Sequence, residues 1–233
     1  MTPPLPPHRR EPLIVWGASG HAKVVADIVR VTGRYAIRGF LDDRDEQSPG
    51  RSFCGATVLG GRQQLEALRN GGVSALIVGV GDCHARLRLA ALAVAAGYRM
   101  PTAIHPAAVV ASDAEVGLGT VIVAGAVVNP SSRLGEHAVV NTGATVDHDC
   151  ILDDGVHISP GAHLGGGVRV GRASWIGIGA TVRDHVTIGA NAIVGAGSLV
   201  LTDVPDDVVV FGCPARVVRR NETRQDAPGI DGI

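Results

Sequence analysis

From Ile104 onward the chain keeps a strict beat of apolar positions. Every sixth residue is aliphatic: Ile104, Val110, Val116, Ile122, Val128, Leu134, Val140, Val146, Leu152, Ile158, Leu164, Val170, Ile176, Val182, Ile188, Val194 and Val200. Two residues earlier the side chain is usually small, as at Ala114, Thr120, Ala138, Ala144, Ala162, Ser174 and Ala192. Glycine often follows the aliphatic residue, as at Gly117, Gly135, Gly165, Gly171, Gly177, Gly189 and Gly195. A period of six matches neither a helix nor simple strand alternation. It predicts a parallel β-helix whose coil is a triangular prism of three short strands. The aliphatic residue points inward, the small one fits a corner, and glycine permits the turn. Seventeen steps at three per coil make between five and six coils.

The first hundred residues carry a different pattern. "LIVWGASG" predicts a strand running into a glycine turn, and "HAKVVADIVRVTG" a helix ending at Gly33. "YAIRGFLDD" and "SALIVGVGD" predict two more strands, and "QQLEALRNGG" and "ARLRLAALAVAAGYR" two more helices. Strands alternating with helices indicate a small parallel α/β unit. The expected organisation is an arm over 1–11, an α/β domain over 12–102, a β-helix over 103–218 and a tail over 219–233. Both the arm and the tail are expected to be disordered.

Composition narrows the function classes. With 21 basic and 22 acidic residues the net charge is −1, which gives no electrostatic pull toward nucleic acid or an anionic membrane. The 32 glycines point to many tight turns, and with 2 Trp, 2 Tyr and 3 Phe the core must be largely aliphatic. Cys54, Cys83, Cys150 and Cys213 are scattered, which suits reduced thiols in a cytoplasmic protein better than a disulfide framework or zinc site. The N-terminal "MTPPLPPHRREP" has no apolar stretch of the signal-peptide kind, and no run is long enough to span a membrane.

Several motifs could carry chemistry. "GASGH", Gly17 to His21, sits where a strand gives way to a helix, so its amides could receive a phosphate; a plain tight turn is the alternative. "FLDD" ends the second strand, where Asp42 or Asp43 could meet a ribose hydroxyl or simply face solvent. "GVGD" ends the third, where Gly81 would let a ligand approach the backbone. Three such strand ends favour a nucleotide-like ligand, and the unit is too short for a full nicotinamide-binding fold. His8, His137 and His185 are expected in the arm or at the surface. His148, His157 and His163 could suggest zinc, but His157 and His163 fall on successive faces and point apart, so no metal is expected. His148 stands between Asp147 and Asp149, and a carboxylate on its ring would suit a general base; a surface ion pair is the alternative. Cys150 could be suspected of carrying an acyl group, yet its place in the repeat suits a small corner residue.

Together "GASGHAKVVADIV", "FLDD", "GVGD", "AIHPAAVV", "NTGATVDHDC", "HISPGAHLGGGV", "IGIGATV", "IVGAGSLV" and "VVVFGCPAR" resemble a known family. They are similar to left-handed β-helix sugar acetyltransferases of the sialic acid O-acetyltransferase and bacillosamine N-acetyltransferase type. The resemblance covers roughly residues 12–218. It implies a homotrimer with acetyl-CoA along the β-helix at subunit interfaces, and a nucleotide-linked amino sugar held by the α/β domain. By position it implies His148 as base and Asp149 as the acid raising its basicity. It implies His157, Ile178 and Ala196 at acetyl-CoA, and Ser19, Gly20, His21, Asp42, Asp43, Gly81, Arg86 and Asn141 at the nucleotide sugar. The implied reaction is N-acetylation, with a 4-amino-4,6-dideoxy sugar as acceptor for a surface glycan. O-acetylation of sialic acid, a gamma-class zinc hydratase and a non-catalytic binding trimer are the alternatives.

Overall fold

The computed structural model describes residues 10–44 and 49–222. Most of the expected arm, with His8, and the tail from residue 223 lie outside the described residues. Glu11 already opens the first strand, and Arg219 and Arg220 belong to the last. Contacts divide the chain into two compact units, one built on the segment up to Gly81 with Arg88–Pro101, the other on Asp82–Leu87 and from Thr102 onward. Among the described residues no helix is long and apolar enough to cross a membrane.

The first unit is an α/β sheet. Strands β1 (Glu11–Trp16), β2 (Tyr35–Leu41) and β5 (Ala75–Val78) are parallel, with β1 between the other two. The sequence predicts only these three; the structure adds β3 (Ser52–Phe53) and β4 (Ala56–Gly60), a hairpin extending the sheet beside β2. Its turn uses Cys54 and Gly55, both at positive φ, and such short strands leave little periodic signal. Helix α1 (Gly20–Thr32) buries Ala22, Val25, Ala26, Ile28 and Val29 and ends on Gly33 in the left-handed conformation. A core of Ile14, Trp16, Leu41, Leu76, Val78 and Tyr98 fills the unit.

The second unit is the left-handed β-helix. Its strands are two residues long and run from β6 (Ala103–Ile104) to β22 (Leu199–Val200), before the antiparallel hairpin β23 (Val208–Gly212) and β24 (Ala215–Arg220). From Ala103–Ile104 to Thr181–Val182 each strand pairs in parallel with the one eighteen residues on, for example Thr145 with His163 and His163 with Thr181. Three sheets result, and the second residue of each strand is the aliphatic one that fills the prism. The core cluster contains only Ile, Val, Leu, Ala and Cys.

Two features of the repeat differ from the sequence expectation. Left-handed backbone recurs at every sixth residue from Gly119 to Gly197, three places after the aliphatic position. The glycines directly after the aliphatic residue are not the turning residues. A Cβ on Gly171 would stand 2.5 Å from the Ala190 nitrogen, and one on Gly117 2.5 Å from the Gly135 carbonyl carbon. These glycines let successive coils touch. The small corner residues also do more than fit. The hydroxyls of Thr120, Ser132 and Ser174 each donate to a carbonyl fifteen residues on, and Cys150 Sγ occupies the same place against Gly165 O at 3.2 Å.

Candidate active site

His148 lies in the turn that follows the strand Thr145–Val146, so strand alternation does not govern its neighbours. Asp149 occupies the left-handed corner position at φ 60°, and its Oδ2 meets His148 Nδ1 at 2.7 Å. Asp147 turns the other way: its Oδ1 accepts the His148 main-chain N–H at 2.8 Å and Asn129 Nδ2 at 2.8 Å. The hydrogen bond to Asp149, then the charge of Asp147, raise the His148 pKa above its ordinary value. The ring and the Asp149 carboxylate are both largely exposed. The ring borders an open hollow of about 560 Å³ lined also by Asp147, Thr145, His163, Gly166, Thr181 and Arg183.

The other expected residues of the β-helix fall on a different edge of the prism. Asn141 follows the strand Val139–Val140, and its Nδ2 lies 3.2 Å from His157 Nε2. The His157 ring is 4 % exposed and stacks on Trp175 at 4.9 Å and 11°. Trp175 is fixed by a 2.6 Å bond from its Nε1 to Ser159 Oγ. Ile178, 62 % exposed, and Ala196 stack one coil apart on that edge, where Gly197 N–H donates to Ile178 O at 2.8 Å. One sheet face, carrying Thr145, His163 and Thr181, therefore separates the His148 edge from the Asn141–Ile178–Ala196 edge. The three clustered histidines each have their own partner: His148 has Asp149, His157 has Asn141, and His163 Nδ1 has Thr145 Oγ1 at 2.9 Å.

In the α/β unit the three strand ends do meet. Gly17 N–H donates to Leu41 O, and Gly79 N–H to Trp16 O, both at 2.7 Å. Gly17 has φ 124° and a Cβ there would strike Gly79 O at 2.8 Å, so this turn requires glycine. Ser19 and Gly20 are exposed at the start of α1, and His21 and Gly81 are half-buried. Asp42 accepts the Arg44 N–H at 3.0 Å through one oxygen.

Of the expected ligand contacts Arg86 needs correction, and Asp43 is already engaged by the protein itself. Both oxygens of Asp43 are engaged by the protein: Oδ2 accepts Trp16 Nε1 at 3.0 Å, and Oδ1 accepts the Arg62 N–H at 2.7 Å. Arg86 is fully buried. Its Nε donates to His137 O and its guanidinium also reaches Gly155 O, each at 2.7 Å. A guanidinium enclosed among main-chain carbonyls is a clasp for β-helix corners, with no open face for a sugar. His137 is likewise not at the surface: it is 6 % exposed over Gly119, and burial lowers its pKa.

Comparison with known proteins decides the family. Residues 12–92 match the PglD N-terminal domain, and 167–202 the bacterial transferase hexapeptide of six repeats. Among solved structures, GDP-perosamine N-acetyl transferase from Caulobacter crescentus, in complex with CoA and GDP-perosamine, is 40 % identical. The match covers 88 % of this chain and 96 % of that one, at a TM-score of 0.85. The acetyltransferase domain of PglB from Neisseria gonorrhoeae FA1090, in complex with acetyl coenzyme A, is 42 % identical over 90 % and 100 %, at 0.84. WeeI from Acinetobacter baumannii AYE is 26 % identical over 88 % and 99 %, at 0.77. No curated protein matches. The chain belongs to the hexapeptide-repeat sugar acetyltransferases.

In this acetyltransferase two further features bear on the histidine edge. Gly166 lies eighteen residues after His148, and a Cβ on it would stand 2.6 Å from the ring's Cε1 and 2.7 Å from Nε2. The imidazole thus rests where only glycine leaves room. The "GGG" of Gly165–Gly167, counted one coil on from His148, is the sequence signal for it. Cys150 is buried, and desolvation pushes its thiol up to about 11, which suits a packed corner residue and not a nucleophile.

Proposed function

We propose that this protein transfers the acetyl group of acetyl-CoA to the amine of a nucleotide-linked amino sugar, with His148 as general base. The acceptor in this reading is a 4-amino-4,6-dideoxy sugar. The observation that carries it is the His148 Nδ1–Asp149 Oδ2 contact of 2.7 Å, which fixes the tautomer and leaves Nε2 to take a proton beside the hollow. The substrate ammonium loses one proton before attack and the second to Nε2 as the nitrogen bonds to the thioester carbon. The tetrahedral oxyanion is met by a backbone N–H, and collapse breaks the C–S bond and releases CoA thiolate. Asp149 stabilises the imidazolium that forms.

The two relatives above 40 % identity or at it, with their CoA and sugar-nucleotide complexes, support the substrate classes. In the same reading His157, Ile178 and Ala196 lie along acetyl-CoA. The glycine turn at Ser19–His21, Asp42 and Gly81 hold the nucleotide, Asn141 the sugar, and no metal takes part. The assembly is a homotrimer working in the cytoplasm. Exposed Val109 and Ile178 on the β-helix suit a subunit contact, which light scattering on the purified protein would count.

The test is a thiol-release assay against GDP-, UDP- and dTDP-linked 3- and 4-amino sugars and sialic acid. One amino sugar turns over, and His148→Ala loses roughly 10²-fold or more. Turnover of only the hydroxyl acceptor would make the enzyme an O-acetyltransferase. Because His148 must be neutral to accept a proton, and its pKa is raised, the acid limb of kcat/KM lies above the ordinary histidine value.

A further inference from the structure

The dyad of His148 and Asp149 is solvent-exposed, so packing does not hold it. Its fixity has to come from hydrogen bonds, and these come from the preceding coil. Asn129 lies one coil before Asp147, next to the strand whose Val128 pairs with Val146. Its Nδ2 donates to Asp147 Oδ1 at 2.8 Å, the oxygen that also accepts the His148 N–H. Ser132 Oγ donates to Asp147 O at 2.8 Å, and Asp149 N–H donates to Pro130 O at 3.1 Å. The segment from Asn129 to Ser132 thus straps residues 147–149 from one side, while Gly166 leaves room for the ring on the other.

We propose that Asn129 and Asp147 are positioning residues for the reaction: the Asn129 amide fixes the Asp147 carboxylate, which fixes the His148 main chain with the ring over Gly166 and on Asp149. This rests on His148 being the base. The chemistry of each position fits the role. Asp147 accepts two N–H bonds, and the one from Asn129, then the one from His148, hold its carboxyl below the usual range. It is therefore ionised wherever the enzyme works, and supplies a second negative charge to the imidazolium. The charged and titratable groups around that ring are Asp147 and Asp149, with His163, Arg183, Asp184 and His185 lining the same hollow. An amide is required at 129 because a carboxylate there would face Asp147.

The test compares Asp147→Asn, Asn129→Ala, Asn129→Asp and His148→Ala by kcat, KM and pH profile, and the first three also by ¹⁵N NMR titration of the His148 ring, with thermal midpoints confirming that each folds. Asp147→Asn keeps the acceptor oxygen and removes the charge, so the ring and the acid limb both titrate at lower pH. Asn129→Asp keeps the shape but sets a second carboxylate where the donor stood, so the bond gives way to repulsion and kcat falls on the order of 10-fold with KM for acetyl-CoA little changed. Asn129→Ala falls between wild type and Asn129→Asp. The proposal is overturned by variants that keep wild-type kcat and ring titration while His148→Ala is inactive. If His148→Ala keeps the wild-type rate, the base reading fails first and the positioning role goes with it.

Discussion

Both units are made of parallel strands, yet they bury them in opposite ways. The α/β unit uses strands of four to seven residues in its parallel core and fills that core with Trp16, Tyr98 and large aliphatics. The β-helix uses two-residue strands, closes the sheets on themselves, and stacks like on like with no aromatic in its central cluster. In the first, the strand ends converge and every loop there is different. In the second, all corners share one geometry, so a departure stands out against the repeat: an aspartate, Asp149, stands at a left-handed corner that glycine most often fills.

That contrast can be tested where it is sharpest. Arg86→Met leaves the carbonyls of His137 and Gly155 buried and unpaired, and should cost about 3 kcal/mol or more in denaturant unfolding. An unchanged midpoint would mean that the clasp does not hold the corners. Next come two glycines of the repeat. Gly171→Ala drives a methyl group into the backbone of the next coil and should cost about 2–3 kcal/mol. Gly143→Ala, at φ 64° with nothing within 4 Å of its Cβ, should cost about 1 kcal/mol. The reverse order would restore the turning role to the glycines that follow the aliphatic residue. The smallest effect is expected from Cys150→Ser, which keeps the corner bond to Gly165 O and should keep activity within about twofold, because a small corner residue is all the site needs. A large loss of CoA release would point to an acyl-carrying thiol.

The aliphatic positions and the His148–Asp149 pair were legible in the sequence because both depend on spacing along one chain. What lies eighteen residues away was harder to see. Asn129 on Asp147 and Gly166 under His148 become neighbours only once the coil length is known. The α/β unit hid more: the β3–β4 hairpin is too short to show a period, and Asp43 reads like Asp42 until Trp16 and Arg62 are seen to occupy it. Arg86 and His137 misled for a common reason. A polar side chain in a repeat suggests solvent, but a corner carbonyl can draw a guanidinium inward, and a left-handed corner can fold an imidazole over the glycine of the previous coil.

The eighteen-residue register also constrains how such a chain can change length. An insertion of eighteen residues adds a whole coil and leaves every later side chain on its own face. An insertion of six keeps the hydrophobic beat intact but turns all that follows by a third of a revolution, so the glycine under His148 would be replaced by a residue from another edge. Growth and loss in this half of the molecule are therefore quantised, and the aliphatic pattern alone would not reveal a frame that had slipped.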